Sequence, residues 1–535
     1  MTNSLGWFRL AVAGLLLAGV ASVPWMALAA DEPSLVTPKA VCGPGSNPET
    51  GRQGRVPKAE VDSGRAKQGY TCNTQLVGHF GDSGGYKVER YVDGAGHECA
   101  FYDTTLLFPA NATNLSTNLT GAFVLDMSNP ADPKKTMGLV TPAMQSPHES
   151  MLLNPKRGLL AAVTANPLFY PGVIDVYDVS HDCRTPTPLS SLPLAGLGHE
   201  SGWSPDGLTF YSSSLYGNTV VAIDLTNPAV PKPLAYTYQY RSHGLTISDD
   251  GNRAYLAVSG VGLVVLDVSD IQARKPSPQM REISRLTWPV MSTPQVPIPI
   301  TIGGHPYIME IDEFGSAAKV GAARIIDMAD ETKPKVISNL RLEVNAAEAQ
   351  ADPSQTADNG VINPLQGYTG HYCTVPQRVD PGVVACTFIL SGLRLFDIRD
   401  PYNPKEIAYF NAPIGPGLDP RPGQDSSYAM SSASFVPARS EIWYSDGNSG
   451  FWAFKVTNGV WPFATASGTA GTDSTSGAVA ASAAAGGAGS TGRGRNGALP
   501  ATGPRQAGAL ATSGLALAVV FGVRGVRRRL LLDGA

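Results

Sequence analysis

The sequence predicts an all-β fold: a seven-bladed β-propeller of four-stranded blades, closed by an N-terminal strand that completes the last blade. Three observations predict it. Residues 243–270 read as three short strands in a row: Leu245 to Ser248, Ala254 to Val258 and Leu263 to Val268. They are separated by Asp249-Asp250-Gly251-Asn252 and Ser259-Gly260, which carry the turn chemistry of hairpins. The unit recurs along the chain, and a period of this size with about four strands per repeat means a propeller or a related array. Finally, an outer-type strand stands alone near the N-terminus, while the last repeat lacks one.

The third strand is the easiest to follow. Its apolar run ends in Asp at Asp126, Asp178, Asp224, Asp267, Asp327 and Asp397, spaced 43 to 70 residues apart, and Lys455 takes the seventh place. Runs of four to eight apolar, β-branched residues between turns fit strands buried on both faces. The Asp residues are read as turn formers, because Asp beside Ser or Asn-Pro accepts local backbone N–H bonds. Gln75 to Phe80 matches the outer strands at Lys232 to Tyr238 and Lys405 to Tyr409. Nothing of that kind follows the seventh copy near Val460, so residues 74–80 are assigned to the last blade, where they hide two open edges. His79 lies on that outer strand and receives no site role. Insertions are expected at Asn111 to Thr120, Ser284 to Thr301 and Ala346 to Gln366, the first with sequons at Asn111, Asn114 and Asn118. Ser204-Pro-Asp-Gly207 and Ser248-Asp-Asp-Gly251 lack the ligand count of calcium loops and read as hairpin turns.

The hydrophobic-Asp strand resembles the repeat of the LVIVD family of seven-bladed propellers, over residues 73–462. The resemblance speaks for the fold and says little about chemistry, since propellers host many functions.

Outside the ring, residues 1–29 have the form of a signal peptide: Arg9, an apolar run from Leu10 to Ser22, and Ala27-Leu28-Ala29 at the cleavage site. An irregular leader is expected over 30–72. After the propeller, residues 463–498 are rich in Ala, Gly, Ser and Thr, a flexible tether with a reach on the order of 30 Å. Leu499, Pro500, Ala501, Thr502 and Gly503 then precede an apolar stretch and the Arg527, Arg528, Arg529 cluster within 499–535. That order resembles the sortase signal of Gram-positive wall proteins. The resemblance implies cleavage between Thr502 and Gly503, peptidoglycan and sortase as partners, and a place on the cell surface. An uncleaved membrane anchor would leave the propeller outside as well.

An exported chain meets an oxidising environment, so the six cysteines are disulfide candidates. Cys373 and Cys386 flank a hairpin and form the best local pair. Cys42–Cys72 would tie down the leader, leaving Cys99–Cys183 to join the first two blades. Spacing alone does not choose among the roughly fifteen pairings that six cysteines allow.

With a formal charge of −4 and no long basic run, the chain is not read as a nucleic-acid binder. No phosphate loop, nucleophile elbow or H-E-x-x-H zinc motif appears. What stands out is histidine: His148, His199, His243, His305 and His371, five of eight, each precede a first strand, with Glu149 and Glu200 beside two of them. Met430 and Ser431 hold this place in the seventh repeat. First strands line the channel, so five imidazoles are expected at one mouth, where a divalent transition metal would find its commonest protein ligand. The arrangement is similar to the way some seven-bladed copper enzymes hold their metal, although the cysteine motif of the selenium-binding type is missing. The competing account is structural, each His donating to a neighbouring blade and copied by duplication. The leading functional expectation is a surface module binding an extracellular protein, glycan or small molecule, with no catalytic set. The alternative is a metal-binding or metalloenzyme propeller using the His ring. A lactonase-type hydrolase would need a carboxylate-rich channel instead.

Overall fold

The computed structural model describes residues 36–104, 121–315, 319–361, 366–417 and 425–463. The expected signal peptide, sequons, most of the tether and the LPATG signal lie outside the described residues. Among those described, no helix is long and apolar enough to cross a membrane.

The described chain forms seven antiparallel sheets, each with four strands running outward from the channel, and the sixth carries a fifth. Their innermost strands are Val88–Val92, Leu152–Asn154, Gly202–Trp203, Ser242–Ile247, Thr293–Ile302, Gly370–Thr374 and Ser434–Val436. Thr74–Phe80 pairs antiparallel with Gly450–Val456 and supplies the outer strand of blade 7. The ring is therefore closed by hydrogen bonds between its two ends, as predicted.

Near-continuous apolar runs follow from what each blade touches. Successive side chains of a strand face opposite sides, and in a ring both sides meet another blade. Leu263 and Val265 pack on Ile308 and Ile326 of blade 5, whereas Val264 and Leu266 pack with Tyr211 and Val220 of blade 3. One buried cluster fills each seam. The last, between blades 7 and 1, joins Trp443 and Phe451 to Ala100, Phe123 and Leu125.

The repeat Asp residues do turn work. Asp126, Asp178, Asp224, Asp267, Asp327 and Asp397 each accept the backbone N–H two residues on, at 2.8–3.0 Å. That bond satisfies the backbone as the chain leaves the third strand. Three disulfides are present, Cys42–Cys72, Cys99–Cys183 and Cys373–Cys386. The second joins blade 1 to blade 2.

Two expectations need correction. The leader is more ordered than an irregular segment: it holds a short helix, Lys58–Asp62, and a strand, Tyr70–Cys72. That strand adds to the outer edge of blade 6, pairing with Tyr409–Asn411. Three residues are too few to show a period in sequence. The stretch Ser284 to Thr301 is not an insertion. Arg281–Leu286 is the outer strand of blade 4, and Thr293–Ile302 is the inner strand of blade 5. Pro294, Pro297 and Pro299 disguise the latter, since proline donates no ladder bond. An inner strand, paired on one side only, tolerates them.

Candidate metal centre

Four of the five predicted histidines converge, and His305 does not. Because Thr293–Ile302 is the first strand of blade 5, His305 opens the second, at the far end of a long hairpin. There its Nε2 lies 2.8 Å from Asp327 Oδ1, and its side chain is 39% exposed. The place in blade 5 that matches His243 is held by Gln295. Both residues sit at the bulge where the inner strand slips register, between Ser242 and Gly244 and between Pro294 and Val296.

Glu149 stands in the middle of the four rings. Its Oε2 is 3.3 Å from His199 Nδ1 and 3.7 Å from His243 Nε2. Its Oε1 is 3.3 Å from His371 Nε2 and 3.8 Å from His148 Nδ1. A second carboxylate comes from Glu313, at the end of the second strand of blade 5, 3.1 Å from His243 Nε2 and 3.2 Å from His371 Nε2. Donor atoms of His148, Glu149 and His199 lie within 4.8 Å of one another, as do those of Glu149, His243 and Glu313.

The backbone sets which nitrogen faces inward. His243 Nδ1 donates to Pro294 O at 3.0 Å, and His371 Nδ1 donates to Met430 O at 2.7 Å. Each bond links one blade to the next and leaves Nε2 pointing at the carboxylates. Protein ligands to metals are commonly fixed in this way through their other ring nitrogen. His148 is held at φ 52°, a left-handed conformation that costs a non-glycine residue on the order of 1 kcal/mol. Its ring stacks on Tyr86, with centroids 4.3 Å apart. Gly244 permits close approach here, because a Cβ would stand 2.3 Å from the Gln295 carbonyl oxygen and 2.8 Å from Glu200 Cβ.

Charge in this enclosure is strongly coupled to burial. Burial, with His199 adding to it, pushes His148 down to about 3. Burial also takes His243 down to about 3, against the pull of Glu149. Both rings are therefore neutral and free to act as ligands, whereas an ion at His371 would first have to displace a proton. Burial alone would lower His371 too, but Glu149 and Glu313 outweigh it and hold this ring well above the ordinary imidazole range. Burial raises Glu313, whereas the surrounding imidazoles overcome burial at Glu149 and keep it ionised.

Glu200 was expected beside the ring and lies one step out. Its carboxylate meets Lys87 Nζ at 2.5 Å and accepts from the Tyr372 hydroxyl. Lys87 also stands 4.5 Å above the Tyr372 ring. Tyr86, Lys87, Gln295 and Glu313 escape sequence reasoning. None is a His in the repeat pattern, although Tyr86 approaches the inner strand of blade 1 as His148 approaches that of blade 2.

The fit to a cation shows in the polar atoms. His371 is fully buried and its Nε2 makes no well-aligned hydrogen bond, although two carboxylates flank it. His148 Nδ1 and both amide atoms of buried Gln295 are likewise without a partner. Left unsatisfied, such groups cost about 1–3 kcal/mol each. Imidazole with carboxylate is a donor set suited to first-row divalent transition metals. Elsewhere, Asp93, His97 and Asp182 also cluster. There Asp93 already accepts from Ala95 N, His97 N, His97 Nδ1 and Cys183 N, which makes it a turn staple beside the Cys99–Cys183 bridge.

No family model matches the chain, and no curated protein matches it. Among solved structures it is similar to a protein from Lactobacillus plantarum, at 12% identity and TM-score 0.41, covering 59% of this chain and 82% of that one. It is also similar to the WD40 domain of coronin from Toxoplasma gondii, at 10% identity and TM-score 0.43, covering 72% and 86%. The assignment of seven blades rests on the strand pairing described above.

Proposed function

We propose that this chain is an exported, surface-attached β-propeller of the LVIVD type, built round a divalent transition-metal centre held by His148, Glu149, His199, His243, Glu313 and His371. One observation carries the reading. Two imidazoles from different blades, His243 and His371, have Nδ1 pinned to a carbonyl and Nε2 turned toward the same pair of carboxylates. The blade-to-blade bonds by themselves would suit a structural His ring, but that account does not call for the two carboxylates gathered between the rings. The donor set supports metal binding, and with it Lewis-acid or redox chemistry, without selecting a substrate.

Export and surface attachment rest on the sequence: the signal-like residues 1–29, the three disulfides suited to an oxidising exterior, and the LPATG segment. Cleavage at Thr502–Gly503 would leave the propeller on a tether at the cell wall.

Metal analysis of the purified protein, beside the His199→Ala/His243→Ala variant, tests the reading. Copper, zinc, iron or manganese at one or more equivalents in the wild type, and lost from the folded variant, is the expected result. No metal after metal-replete dialysis of folded wild-type protein would overturn it and leave an interaction module for an extracellular protein, glycan or small molecule.

A further inference from the structure

We propose that the centre takes two ions bridged by Glu149: an outer ion on His148 and His199, and an inner ion on His243, His371 and Glu313. This rests on the metal reading above and deepens it. The donor atoms fall into two groups that share only Glu149. His371 stands outside both groups, but its Nε2 lies 3.2 Å from Glu313 Oε2 and 3.3 Å from Glu149 Oε1, which assigns it to the inner ion. An ion about 2.1 Å from each ligand spans donors no more than ~4.2 Å apart, and no set of mutually close donors takes in residues of both groups besides Glu149. Glu149 lies between the two sets, each of its oxygens facing one ring from either side. A carboxylate so placed bridges, as in two-metal sites whose ions stand roughly 3.5–4 Å apart.

The two positions differ in character. The inner ion has four protein ligands, His243, His371, Glu313 and Glu149, whose side chains are 0–2% exposed. Four ligands in a closed shell mark a structural site. The outer ion has three, His148, His199 and the shared Glu149. The His148 and His199 side chains are 19% and 11% exposed, against 0–2% for the inner set, although His148 Nδ1 itself is buried. Three protein ligands and an open position are the mark of a site that takes a water or substrate atom. An oxyanion-bearing molecule approaching from the exposed side of His148 and His199 would therefore meet the outer ion first.

The test is a Co(II) titration of the metal-stripped full chain, followed by EDTA removal. Two equivalents are expected, leaving in two phases, the outer ion at least tenfold faster. The His148→Ala/His199→Ala variant should bind one equivalent and lose only the fast phase. One equivalent in the wild type would overturn the two-ion centre and leave the metal reading standing, whereas none would overturn both. Loss of both ions from the folded variant would refute the division into outer and inner sites. If the variant does not fold, the wild-type count decides alone.

Discussion

Gly78→Ala tests the closure that brings the centre together. Gly78 lies at the bulge of Thr74–Phe80, where the last blade's outer strand runs against the exit turn of blade 1. A Cβ there would stand 2.0 Å from the Pro130 carbonyl oxygen and 3.1 Å from the Ala131 carbonyl carbon. Carbon and oxygen ordinarily approach to about 3.3 Å, so the strand would have to withdraw by roughly 1.3 Å. The obstacle is backbone and cannot swing aside. Overpacking costs about 1–3 kcal/mol, and this site belongs at the upper end, ~3 kcal/mol. For a domain this large, larger than those for which 2–4 °C per kcal/mol holds, that becomes a fall in Tm of roughly 3–6 °C by calorimetry. Gly138→Ala is the control, also on an outer strand, with nothing nearer than Lys135 Nζ at 3.7 Å. It should leave Tm unchanged or raise it slightly. If Gly78→Ala is as stable as the control, residues 74–80 are not seated against blade 1 and the closure is wrong.

Two further predictions follow from residues away from the ligands. His305→Ala should keep the wild-type metal content and lose less than about 1 kcal/mol, because its half-exposed pair with Asp327 is worth little; metal loss on this substitution would return His305 to the centre. Asp446 is raised from 3.8 to about 6, chiefly by burial, despite N–H bonds from Tyr428 and Asn448. A folded pKa above the unfolded one means stability is fullest below about pH 4 and is lost as pH rises through 6. At 1.36 kcal/mol per pKa unit the difference is about 3 kcal/mol. Asp446→Asn should therefore gain on the wild type by up to that amount between pH 4 and pH 8, and a Tm difference that stays constant across this range would refute it.

Most of the fold is legible in the sequence because it is written locally and seven times. A strand buried on both faces must be apolar throughout, and the Asp that closes its exit turn bonds only two residues ahead. The lone outer strand at 74–80 was readable for the same reason, since the last repeat visibly lacks one. Blade 5 broke the reading. Three prolines disguise its inner strand, so the repeat pattern starts that blade one strand late and places His305 at the wrong end of a hairpin.

Sequence by itself determined the blade count, the Asp turns, the end-to-end closure and a set of five histidines, four of which the structure brings together. Only the tertiary structure decided that Glu149 turns inward while Glu200 turns to Lys87 and Tyr372, and that Glu313 and Tyr86 join the centre. It also decided that Tyr70–Cys72 edges blade 6. Repeats record what each blade needs for itself. A centre assembled from six blades depends on side chains that meet only when the ring closes, and their partners lie tens to hundreds of residues away along the chain.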